Sequence, residues 1–271
     1  MNVRPRRCSA IACLAICSVE AHAAQAGYLP EIRWTNPARP NSGVVIKDSL
    51  QNTWVFQRID EDIAICVTLS AYEDVRDFVS ARADVSDDHM TELAKKVRDR
   101  MQRYCRDIPG VYGRVRGTSR EYFLDWSILT PALRRAVYLH DFNAASFISG
   151  TGYSNLKQFR PDDYGFGWST HLNIVDCLVN SSPAVADSAI RAKYGSKEEA
   201  KALLELSKFL PTCSDPDGTL KTYRELVRRA LSESVYSHAV GATTSTKRRS
   251  AFHHLSDCEG RSVLEGPCPL Q

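Results

Sequence analysis

The 271-residue chain offers little on which a membrane-spanning or polyelectrolyte reading could rest. Its apolar stretch from Cys8 to Val19 falls short of the roughly 20 residues that cross a bilayer. Charge of one sign is scarce, since the formal net charge is +3 and the first 26 residues hold three arginines and one glutamate. That balance provides no global field for nucleic acid. Glycine and proline, at 14 and 12 residues, are too sparse for a collagenous or low-complexity chain. Missing as well is a Gly-x-Ser-x-Gly elbow around Ser169, the turn that exposes a hydrolase nucleophile.

What is present begins with an export signature over residues 1–26. Arg4, Arg6 and Arg7 precede the apolar stretch, and Ala21-His22-Ala23 or Ala24-Gln25-Ala26 supplies a small-x-small cleavage site. Cys17, after Leu14-Ala15-Ile16, leaves a lipoprotein variant of the same reading, which the bulky Ile16 suits poorly. The expected location is periplasmic or secreted, with no transmembrane span in the mature chain. Nine cysteines become six when Cys8, Cys13 and Cys17 leave with the leader: Cys66, Cys105, Cys177, Cys213, Cys258 and Cys268. An even count in an oxidising compartment predicts disulfides.

The mature chain matches itself. Cys66 to Cys105 and Cys177 to Cys213 span 39 and 36 residues, and each interval carries two helical patterns. In the first, Ser70-Ala71-Tyr72-Glu73 reads as a capping box, followed by Met90, Leu93, Val97 and Met101 at helical spacing. In the second, Ser182-Pro183 opens a helix, Gly195 ends it, and Ser196-Lys197-Glu198-Glu199 caps the next. A third helix follows each second cysteine, with Leu133-Arg134-Arg135-Ala136 matching Val227-Arg228-Arg229-Ala230 and Phe142 opposite Tyr236. Thr130-Pro131 and Thr222-Tyr223-Arg224-Glu225 read as their start signals. Leu133, Ala136 and Val137, and Leu226, Val227, Ala230 and Leu231, form stripes expected to face the core, with Arg135 and Arg229 covering the rim. The duplication favours pairing Cys66 with Cys105, Cys177 with Cys213, and Cys258 with Cys268. In the chain-entropy account the two long loops contribute about 4 kcal/mol each and the short one about 3 kcal/mol.

The pattern at Cys177, Gly195-Ser196, Cys213, Leu226, Arg228 and Tyr236 resembles uncharacterised secreted proteins of sphingomonad-type alphaproteobacteria that carry this unit once or in tandem. The resemblance covers residues 60 to 240 and implies a fold and a compartment, with no activity attached. The first unit departs from it, lacking Gly-Ser before its second helix and carrying an insertion around Gly110 to Ser119.

The expected architecture is therefore mainly α: two tandem disulfide-stapled three-helix modules, with a short β-hairpin at the mature N-terminus. Its order is a signal peptide at 1–26, an extended segment at 27–59, module 1 at 60–148, a Gly/aromatic linker at 149–172, module 2 at 173–240 and a basic, disulfide-stapled tail at 241–271. Val44-Val45-Ile46 and Trp54-Val55-Phe56 read as a small hairpin or as two edge strands. The linker's Tyr153, Phe159, Tyr164, Phe166 and Trp168 read as a plug between modules, or as a sugar-binding surface.

Four kinds of chemistry have residues to support them. His253, His254, Cys258 and Cys268 are zinc-type ligands, set against a disulfide in the tail; no metal or cofactor is expected. Ser169, His171, His140 and Asp141 are the types used in nucleophilic hydrolysis, but their spacing makes no triad. Asp60-Glu61-Asp62 and Asp87-Asp88 could supply paired carboxylates, yet read as helix-start and solvated positions. Residues 98–120 hold seven arginines against two aspartates, and Arg98, Arg103, Arg114, Arg116 and Arg120 form a candidate anion site for an envelope component such as a phosphorylated lipid head. The sum is a non-catalytic structural or interaction module, with an envelope hydrolase acting on glycan or ester as the alternative.

Overall fold

The computed structural model describes residues 27–48, 51–106, 108, 126–142, 156, 167–214 and 219–242. β1 (Ile32–Thr35) and β2 (Gly43–Lys47) pair antiparallel, with Ile32 opposite Ile46 and Thr35 opposite Gly43. A hairpin forms around Val44-Val45-Ile46, with a different partner strand. Trp54, Val55 and Phe56 lie in α1 (Gln51–Ser70), and Ile32–Thr35 takes the place they were given. A third strand, β3 (Thr219–Tyr223), pairs parallel to β2 from about 170 residues downstream, which makes β2 central. Val44, Val45 and Ile46 are accordingly all buried, a continuous apolar run in place of an alternating one.

The helices follow as α2 (Tyr72–Val79), α3 (Asp87–Tyr104), α4 (Trp126–Asp141), α5 (Gly167–Ser181), α6 (Pro183–Arg191), α7 (Lys197–Ser207), α8 (Leu210–Cys213) and α9 (Arg224–Ala242). Disulfides join Cys66 of α1 to Cys105 after α3, and Cys177 of α5 to Cys213 of α8, as the duplication favoured. Cys258 and Cys268 lie outside the described residues. On the first side α1 packs on α2, α3 and α4, and α2 on α3 and α4; on the second, α5 packs on α6, α8 and α9, and α6 on α7 and α9. The two sides also meet, because α4 packs against α9 and one apolar core runs through both. α9 is the most enclosed element, buried at every position from Arg224 to Ala239.

Several local expectations are corrected. Ser70 ends α1 and gives its hydroxyl to the Cys66 carbonyl, so Ala71 is the N-cap of α2 and no capping box forms. α4 starts at Trp126, which puts Pro131 inside the helix and leaves Thr130 a buried helical residue. Thr222 belongs to β3, and the chain passes directly from strand to helix at Arg224. The Ser196 cap does form: its hydroxyl accepts the Glu199 amide at 3.2 Å, while the Glu199 carboxylate accepts from the Gly195 amide at 2.6 Å. Gly195 has φ 76°, in the left-handed region that glycine enters without a Cβ penalty. The positions 59/60 and 172/173 lie within α1 and α5.

Candidate functional site

Arginines of α4 and α9 converge with carboxylates from α1 and α7 in the interior. On α9, Arg224 and Arg228 are four residues apart and share a face. Arg228 donates through Nε and Nη2 to the two oxygens of Glu61, at 2.5 and 3.3 Å. Its Nη1 reaches Glu199 Oε1 at 2.9 Å and the Ala189 carbonyl at 2.8 Å, and its Nη2 reaches the Ala192 carbonyl at 2.8 Å. Arg224 donates to Glu199 Oε2 at 3.0 Å, to the Gly27 carbonyl at 2.6 Å and to the Ser196 carbonyl at 3.0 Å, with Asp48 at 3.5 Å. Both guanidinium groups lie over the Tyr194 ring.

From α4, Arg135 donates to the carbonyls of Ile190, at 2.5 Å, and Ala192, at 3.4 Å, and stands 3.5 Å from Glu61. Arg134 donates to the Val79 carbonyl at 3.3 Å and pairs with Glu233 of α9. Arg229 donates to Gln57 of α1 at 3.0 Å. The carbonyls at the C-terminal ends of α2 and α6 lack intrahelical donors, and these guanidinium groups supply them with a charge of the sign the helix dipole favours.

Two expectations fail here. Arg135 and Arg229, assigned to the rim, are each 5% exposed. Asp60 and Glu61, read as solvated, are buried, while Asp62 is exposed. The cause is geometric: with α4 packed on α9, the face beside each apolar stripe meets another helix, not water. Burial opposes ionisation of Glu61, but Arg135 and Arg228 outweigh it and hold its carboxyl below the usual range. Burial, with the like charge of Arg228 added, pushes Arg135 down to about 10 against the pull of Glu61. Burial acts on Arg228 too, yet Glu61 and Glu199 together raise it above its ordinary value. Each oxygen of Glu61 and Glu199 receives an N–H or guanidinium partner. Such an arrangement fixes helices to one another through charge-assisted hydrogen bonds.

Two smaller clusters lie elsewhere. Ser234 and His238 of α9 both bond Asp176 Oδ1, at 2.7 and 2.8 Å. Burial of Asp176 is outweighed by these two bonds, which lower its carboxyl. Serine and histidine thus end on the same oxygen, unlike a relay in which the histidine stands between serine and aspartate. At the end of α4, Asp141 Oδ1 accepts from the Tyr72 hydroxyl at 2.6 Å and lies 2.8 Å from His140 Nδ1. Burial and the Asp141 carboxylate raise the Tyr72 phenol, whose ring stacks on His140 at 4.1 Å.

The other sequence candidates are dispersed. Ser169 is exposed and His171, two residues along α5, is buried, so they face apart. Asp87 and Asp88 are exposed in the first turn of α3, behind the Ser86 cap. Arg98 and Arg103 are exposed on α3, with Arg98 over the Trp126 ring at 5.7 Å. Arg114, Arg116, Arg120, His253, His254, Cys258, Cys268 and the linker rings other than Trp168 lie outside the described residues. Trp168 is buried in α5. Among the described residues no group of His, Cys, Asp and Glu has a metal-holding arrangement, and no helix is long and apolar enough to cross a membrane. Searches of protein-family models, curated proteins and solved structures find no match to this chain.

Proposed function

We propose that this is an exported, non-catalytic structural or interaction protein built from two tandem disulfide-stapled helical modules locked together by buried arginines, with four helices in the first and five in the second among the described residues, rather than three in each. The resemblance to secreted sphingomonad-type proteins supports the helical unit and the compartment. One observation carries the tandem reading. Arg134 and Arg228, matched positions of the two third helices, each take a carbonyl at the end of the short helix in their own half and a carboxylate from the other half. For Arg134 these are Val79 and Glu233; for Arg228 they are Ala189 and Glu61. Two tyrosines of these helices also cross between the halves, from positions that do not match each other: Tyr138 to Asp187 at 2.6 Å and Tyr236 to Ser80 at 2.8 Å. Reciprocal crossing is what a duplicated unit gives when its two copies pack face to face.

The interaction reading assigns the binding role to the exposed basic side of α3 and the arginine-rich segment after it, with anionic envelope components as partners. Its support is the contrast between arginines that are consumed inside and Arg98, Arg103 and Arg106, which stand exposed. Co-sedimentation of the exported protein with vesicles of anionic phospholipid, against zwitterionic ones, tests it. Salt-sensitive binding that falls when Arg114, Arg116 and Arg120 are reversed to Glu supports the reading; binding unchanged by that reversal removes the patch. Turnover of ester or glycan substrates would favour the hydrolase.

A further inference from the structure

The leader has two candidate cleavage bonds, after Ala23 and after Ala26. We infer that the second is used, so that Gly27 is the first residue of the mature chain and its new α-ammonium sits in a built seat at the start of α7. The inference rests on the export reading above.

Gly27 is buried, and three features fix it. Its nitrogen donates to the Gly195 carbonyl at 2.5 Å, and its own carbonyl accepts from Arg224, a fully enclosed guanidinium, at 2.6 Å. A Cβ at this position would drive into the backbone of Ser196 and Lys197, so no residue other than glycine fits without moving the α7 cap. Two residues on, the Leu29 amide donates to Asp48 at 3.1 Å and the Leu29 side chain is wholly buried. An ammonium beside a helix N-terminus is normally disfavoured by the dipole. Here the acceptor is the Gly195 carbonyl, while Glu199 and Asp48 balance the Arg224 guanidinium that holds the Gly27 carbonyl. The small-x-small sequence Ala24-Gln25-Ala26 then ends at the residue before the seat. The step is hydrolysis by a leader peptidase: water adds to the Ala26 carbonyl, the Ala26–Gly27 C–N bond breaks, Ala26 leaves as a carboxylate, and Gly27 leaves as the protonated amine.

The experiment is expression of the full chain in an exporting bacterial host, followed by N-terminal sequencing and intact mass of the exported protein. A chain beginning at Gly27 is expected. A chain beginning at Ala24 overturns this inference and leaves export standing, whereas an uncleaved chain retained in the cytoplasm overturns both. The seat is read separately on the processed wild type, by the rate at which an amine-directed acylating reagent modifies the α-amine. Modification slower in the folded than in the denatured protein is expected, and equal rates contradict the seat. Gly27→Ala should lower the thermal midpoint by several degrees, while Tyr28→Ala, at a position 76% exposed, should leave it unchanged. Equal midpoints for the two variants would also contradict the seat.

Discussion

Arg228 and Glu61, 167 residues apart in the chain, form a two-pronged buried ion pair in which Nε and Nη2 address the two carboxylate oxygens. The pair ties α9 to α1. A planar guanidinium suits this geometry where a lysine ammonium would not. A buried pair of this kind need not be more stable than a well-packed apolar one, but removing one partner strands the other.

Arg228→Ala should therefore cost about 3–5 kcal/mol in denaturant unfolding at neutral pH, because Glu61 and Glu199 lose buried donors. Leu226→Ala, two residues earlier and 5% exposed, should cost about 2–5 kcal/mol as a core truncation. Arg135→Ala should fall in the same band, where a rim residue would cost under about 0.5 kcal/mol.

The pH dependence of folding has a definite sign. The Glu61 and Asp176 carboxyls are held below their ordinary values, so the stability they contribute is complete above the unfolded-state carboxyl pKa and is lost as pH falls through the folded one. Urea melts of wild type and Glu61→Gln between about pH 6 and pH 3 should show the gap between them narrowing as acid is added. A gap that widens would mean Glu61 is not the ionised partner of Arg228.

Tyr138 donates to Asp187 from a fully buried position, so Tyr138→Phe should cost about 1–3 kcal/mol by leaving a carboxylate oxygen short of a donor. Arg191, which also bonds both oxygens of Asp187, sets the upper limit on that loss. Thermal or denaturant melts of the single variant read it directly.

Each disulfide closes a loop of 39 or 36 residues and should contribute about 4 kcal/mol. Replacing Cys66 and Cys105 together with alanine, or Cys177 and Cys213 together, should lower the unfolding midpoint with the fold retained. Non-reducing peptide mapping should recover the two bonds within their halves; a Cys66–Cys177 peptide would contradict the pairing.

The helices after each first cysteine and both disulfides were legible because their signals are local or repeated: the stripe of Met90, Leu93, Val97 and Met101, the Ser196 cap, and the near-equal cysteine intervals. α1 and α5, which carry those first cysteines, were not, because Trp54-Val55-Phe56 reads as a short strand and Trp168 as part of a glycine-aromatic linker. β3 was not, since Thr219–Tyr223 becomes a strand only by pairing with Gly43–Lys47 far upstream. The arginine cluster escaped for a related reason. Leu-Arg-Arg-Ala and Val-Arg-Arg-Ala look like the edge of an amphipathic helix when each half is read alone. Only the packing of α4 on α9 turns that edge inward, and sequence periodicity within one helix carries no record of the second. The signal that could have exposed it was the return of paired arginines at matched positions.

The central claim is that the two halves form one unit through cross-half pairs such as Arg228 with Glu61 and Arg134 with Glu233. Differential scanning calorimetry of the purified protein tests it most directly. A single transition with equal calorimetric and van't Hoff enthalpies, shifted downward as a whole in Glu61→Gln, is the result predicted. Two separable transitions, with only the one containing α1 moved by Glu61→Gln, would contradict it.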